Sequence, residues 1–114
     1  IHVSSAIAKQ IAALPTKPSA IATAGYREPS LVFLLGRNLL LLGASEAALF
    51  LIEAPGGLAI IEQRQQDAFL KAAGQLGVRL ASPVRLSGIN ISKGQKVIIF
   101  LYSAEMFDAN ASKE

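Results

Sequence analysis

The chain has no cysteine and no tryptophan, one methionine and one histidine. Without cysteine there is no disulfide, no thiol nucleophile and no cysteine-ligated metal. The lone His2 sits at the start, with no second histidine to make a metal pair. Charge is scarce as well: 17% of residues carry it, against 52% that are apolar. That composition is drier than an average soluble domain and excludes disorder for most of the chain. No uninterrupted apolar run reaches the ~20 residues of a membrane span. The driest part, 29–61, is broken by Arg37, Glu46 and Glu53, and by Gly36, Gly43 and Pro55-Gly56-Gly57. It is therefore expected to form short elements of a core, not a span.

What is present is 114 residues, the length of one domain, with a net charge of +3. We expect a single α/β domain over 1–104 and a flexible tail over 105–114. The charge is too low for a nucleic-acid binder, and no nucleic-acid partner is expected. The cations are uneven, however. Arg64, Lys71, Arg79, Arg85, Lys93 and Lys96 have only Asp67 as an acid between positions 64 and 96. Arg79, Arg85, Lys93 and Lys96 are the candidates for a face turned to lipid headgroups or phosphate. The start, IHVSSAIAKQIAAL, has neither the charged region nor the long apolar region of a signal peptide. It also lacks an initiator Met, as an excised domain would.

The periodicity predicts a helix over 4–14, capped by Ser4 or Ser5 and ended by Pro15 and Pro18. A buried strand follows over 19–26. Pro29 suits a first helical turn and Gly36 a stop, so 29–35 is predicted helical despite its β-prone side chains. Residues 38–43 are expected to be a fully buried strand. Ser45 is the expected cap of a third helix, and 58–62 a further buried strand. Residues 65–76 form the clearest amphipathic pattern, with Phe69, Leu70, Ala73 and Leu76 on one face. Residues 78–92 alternate as a strand whose phase flips at Gly88, which predicts a bulge. A turn at Ser92-Lys93-Gly94 leads into a strand over 96–103, apolar in both phases and so inside the sheet. The expected fold is α/β: a small layered sandwich, with short parallel strands linked by helices and a C-terminal antiparallel hairpin.

Chemistry is thinly represented. The acids show no metal spacing, and there is no phosphate loop, nucleophile elbow or dinucleotide fingerprint. No metal and no cofactor are expected in this domain. Glu62 closes a strand at the edge where α/β sites lie, but has no acidic partner nearby. Thr23, Gly25, Tyr26, Arg27 and Glu28 lie at the first strand-to-helix turn, where a ligand or an interface could form.

The stretch GYREPSLVFLLG (25–36), the later GINISKG and the strand ending in LY together resemble the C-terminal soluble region of bacterial membrane glycosyltransferases. These are the aminoarabinose-transferase-like enzymes, related to dolichyl-phosphate-mannose protein mannosyltransferases. The resemblance spans most of 4–103, with 25–36 its most specific part. It implies a parent enzyme in the bacterial inner membrane, passing a sugar from a polyprenyl-phosphate carrier to a lipid, glycan or protein acceptor. This domain would lie on the periplasmic side and carry no catalytic residue. Its partners would be the transmembrane part of the same polypeptide, together with anionic lipid headgroups or lipid-linked sugar. Relatives often have an aromatic residue in the hairpin, where this chain has Ile89 and Ile91. The residues alone leave open an alternative, a stand-alone α/β module that binds a small phosphorylated ligand.

Overall fold

A computed structural model describes residues 2–36, 38–90 and 93–105. The order is α1 (Val3–Ala12), β1 (Ile21–Ala24), α2 (Pro29–Leu35), β2 (Leu40–Leu41), α3 (Ala44–Glu53), β3 (Leu58–Glu62), a 3-10 turn (Gln63–Gln65), α4 (Gln66–Leu76), β4 (Val84–Asn90) and β5 (Gln95–Tyr102). All five strands belong to one sheet, in the order β2-β1-β3-β5-β4. β2, β1 and β3 run parallel, whereas β5 is antiparallel to both β3 and β4. The fold is the expected α/β sandwich with its C-terminal antiparallel pair.

The strand period of two sorts the core into two halves. Ala22, Ala24, Ala59, Ile61 and Tyr102 point to one face, under α3 and α4. Ile21, Leu58, Ile60, Ile99 and Leu101 point to the other, under α1 and α2. The first face is alanine-rich on both sides, with Ala44, Ala47, Ala48, Ala72 and Ala73 contributed by the helices. Small side chains let α3 and α4 lie close to the sheet, and Phe50 and Phe69 fill the remaining space. The Phe69 ring lies 4.9 Å from that of Tyr102. The second face uses branched side chains and the α1 residues Val3, Ile7 and Ile11.

Several expectations need correction. β2 is two residues long and its Leu40 and Leu41 are about half exposed, so this is an edge strand and not a buried one. An apolar run alone does not tell the middle of a sheet from its border. Ser4 and Ser5 lie inside α1, whose cap position is His2. Gly43, not Ser45, caps α3, and its N–H donates to Glu46 Oε1 at 2.9 Å. On α4 the buried face is Phe69, Ala72 and Ala73, while Leu70 and Leu76 are exposed. The β4–β5 ladder runs without a skip from Val84↔Leu101 to Asn90↔Gln95, so there is no bulge at Gly88. Ile89 therefore stays on the outward phase, and Asn90 is buried in its place. Residues 78–83 precede the strand instead of belonging to it. The expected tail and Ser92 lie outside the described residues, apart from Glu105. Pro29 at the start of α2 and left-handed Gly36 at its end are as expected.

Candidate functional site

The carboxyl ends of β1 and β3 mark the place where the chain leaves to opposite faces, through α2 on one side and α4 on the other. Open α/β sheets bind ligands in that crevice. Here it is filled by the protein itself. Gly25 has φ +91°, and a Cβ placed on it would lie 2.8 Å from Gln65 Cγ and 3.0 Å from Glu62 Cβ. Glu62 is spoken for: its Oε2 accepts from the Arg64 N–H at 2.8 Å and its Oε1 from Arg64 Nε at 3.0 Å. It caps the 3-10 turn and is not offered to a ligand.

The open space lies beside that crevice, on the α1/α2 face. A hollow of about 520 Å3 is bounded by the first turn of α1, the start of α2 and the end of β4. Its walls include Tyr26, Glu28, Ser30, Phe33, Ile89 and Asn90. Beneath it runs a chain of hydroxyls. Ser30 donates to Ser4 Oγ at 2.8 Å, and Ser4 shares a 2.6 Å hydrogen bond with the Tyr26 hydroxyl. Tyr26 is almost fully buried, and that burial pushes its phenol above the ordinary value. The hydrogen bond from Ser4 opposes the shift and the nearby Glu28 charge adds to it.

Of the residues expected at this turn, Tyr26 and Glu28 reach the hollow. Thr23 is fully buried below it and donates to the Tyr26 carbonyl at 2.8 Å, fixing the turn. Gly25 packs toward β3 and Arg27 is exposed. Sequence reasoning missed Ser4, Ser30, Phe33 and Ile89. A signal for Ser4 existed in the paired hydroxyls Ser4-Ser5, which start α1 with no charged residue beside them.

The four expected cations separate. Lys93 and Lys96 stand at the tip of the β4–β5 hairpin, next to Asn90 and Ile89. Arg85 is on the same sheet face as Ile89, four pairs further from the tip, opposite Phe100. Arg79 is at the far end of the sheet, where its carbonyl accepts from Glu105 N–H. A larger hollow, about 810 Å3, also lies at that end, between Leu14–Ser19, Pro55–Leu58 and Ser103–Glu105.

Among the described residues no three His, Asp or Glu side chains converge as metal ligands. No helix among them is long and apolar enough to cross a membrane. Comparison with protein-family models, with curated proteins and with solved structures finds no match to this chain.

Proposed function

We propose that the chain is a non-catalytic extracytoplasmic domain of a bacterial membrane glycosyltransferase, one that moves a sugar from a polyprenyl-phosphate carrier to a lipid, glycan or protein acceptor. One observation carries the reading. The segment that bears the resemblance, 25–36, forms α2, yet only Leu31 of that helix is fully buried. Val32, Phe33 and Leu34 point outward, and the half-exposed Leu40 and Leu41 follow on the edge strand. A helix spent on folding alone would turn its large apolar residues inward. This one presents them to a partner, and the transmembrane part of the same polypeptide is the partner assigned. The reading gives the domain no catalytic residue and no cofactor, and places it on the periplasmic side of the inner membrane.

An antibody to the domain, used on fractionated cells, tests this. A membrane-bound band several times the 12.0 kDa of this chain is expected. A soluble band of the chain's own size would overturn it. The hollow beside Tyr26 favours the second reading, a module for a small phosphorylated ligand. A ligand at a hundredfold its Kd would stabilise the chain by about 2.7 kcal/mol. Silence across a panel of nucleotides and sugar phosphates would remove that reading.

A further inference from the structure

The positive charge of the chain is concentrated in one stretch. Residues 68–104 hold five cations, Lys71, Arg79, Arg85, Lys93 and Lys96, and no acid. The rest of the chain holds six cations against eight acids, so the whole excess of +3 comes from this stretch. It includes β4 and β5. Alternate residues of a strand point to opposite faces. Val84, Leu86, Val97, Ile99 and Leu101 pack on the α1 side. The other face carries Arg85, Ser87 and Ile89 of β4 and Lys96, Ile98 and Phe100 of β5, as the cross-strand pairs Arg85↔Phe100, Ser87↔Ile98 and Ile89↔Lys96. α3 and α4 lie on that side of the sheet, but they pack over β1 and β3. The hairpin half is left open: Arg85, Ser87, Ile89 and Lys96 are exposed, and Ile98 and Phe100 are half-buried. Each cation thus stands directly across from an apolar side chain on one open face.

We propose that the open face of the β4–β5 hairpin lies on an anionic lipid surface. Arg85 and Lys96 meet the headgroup phosphates, and Ile89 enters the acyl boundary. Long cationic side chains suit that boundary, because their stems lie along apolar surface while the charged end reaches the phosphate. Other occupants fit less well. A second copy, paired face to face, would bring two Arg85 and two Lys96 together with no acid from either hairpin face. A folded protein needs more area. The seven residues of β4 and the two-strand width give a footprint of ~23 Å by ~10 Å, well short of the ~800 Å2 that each partner gives to a stable interface. A bilayer sets no such minimum, since each cation at an anionic surface adds to binding separately. A nucleic acid would need a free ring to stack on, and the half-buried Phe100 ring already packs 6.2 Å from that of Tyr102.

The chain has no tryptophan, so Ile89→Trp supplies a unique reporter at a position 51% exposed. Vesicles of phosphatidylglycerol and phosphatidylcholine should shift its emission to the blue, and vesicles of phosphatidylcholine alone should do so far less. In flotation of the otherwise unchanged chain, Arg85→Ala and Lys96→Ala should each weaken binding to the anionic vesicles about fivefold, with an unchanged far-ultraviolet circular dichroism spectrum. Lys17→Ala removes the same charge from the link between α1 and β1 and should leave binding as it was. Three results would overturn the proposal. The first is no blue shift. The second is a loss of binding with Lys17→Ala equal to that with the hairpin variants. The third is a blue shift with polyglutamate as large as with the anionic vesicles, which would give the face to an acidic protein. The face includes no residue of α2 or β2. The vesicle result and the fractionation result can therefore fail separately.

Discussion

Replacing Gly25 by alanine tests whether the β1 and β3 loops really close the crevice between them. Two costs add. The backbone there has φ +91°, a region where a Cβ is opposed by sterics, at about 1–2 kcal/mol. The new methyl would also start 2.8 Å from Gln65 Cγ and 3.0 Å from Glu62 Cβ. Gln65 can yield at its flexible end, but Glu62 Cβ is tied to the backbone and its carboxylate to Arg64. Overpacking of this kind costs about 1–3 kcal/mol. The sum is about 2–5 kcal/mol, which lowers a urea midpoint by about 1–3 M. Two other glycines calibrate the assay. Gly36 has φ +61° and nothing within 4 Å of a built Cβ, so Gly36→Ala carries the backbone cost alone. Gly74 lies within α4, also in open space, and Gly74→Ala should raise stability by about 0.5–1 kcal/mol. If Gly25→Ala costs no more than Gly36→Ala, the loops do not touch and the crevice is open to a ligand after all.

Two further predictions concern the same edge of the sheet. Tyr26 has its phenol pKa raised by burial. Its contribution to stability is therefore complete below the unfolded value near 10 and is lost as pH rises through the folded value. Tyr26→Phe should cost about 1 kcal/mol at neutral pH for the Ser4 hydrogen bond, and denaturant titrations between about pH 8 and 11 should show a shallower loss than in the parent chain; parallel curves would sink the assignment. Glu62→Ala should cost about 1–2 kcal/mol, because it uncaps the 3-10 turn. Arg64→Ala should cost under about 0.5 kcal/mol, because a side chain 80% exposed leaves the ion pair screened. Equal losses in thermal melts would show that the ion pair, and not the cap, holds the turn.

Elements whose ends carry a stereochemical mark were legible in the sequence. Pro29 and Gly36 bounded α2, and Gly94, in the expected hairpin turn, has a left-handed conformation. The class of fold followed from the alternation of short apolar runs with helical ones. What failed was the assignment of faces. Leu70 and Leu76 looked like core by spacing, but Ala72 and Ala73 take the buried positions, because the alanine-rich sheet face admits α4 only at close range. Leu40 and Leu41 looked buried, but β2 has a neighbour on one side only. Ile89 looked like the start of a new phase, yet the ladder holds its register and leaves it outside. Of the candidate site, the turn at 23–28 was visible because strand-to-helix turns at a carboxyl edge are where α/β sites form. Ser4, Phe33 and Ile89 were not, since their meeting depends on α1 crossing the end of β4, a contact set by tertiary packing.

The junction of α1 and α2 inverts the usual distribution of polarity, and the inversion bears on function. Inside lie hydroxyls, Ser4 and Tyr26, with Ser30 joined to them from the rim. Outside lie Val32, Phe33 and Leu34. Buried hydroxyls stabilise only when paired, and here the chain of two hydrogen bonds satisfies them. A hydrogen bond also constrains direction, which an apolar contact does not. Two side-chain hydrogen bonds to one serine of α1, with Leu31 as the fully buried anchor, fix where a helix of seven residues sits. Such a helix is too short to hold itself in water. Its position is therefore set from within by Leu31 and Ser30, which frees Phe33 and Leu34 from any folding role. Residues released in this way are available for contact with something else.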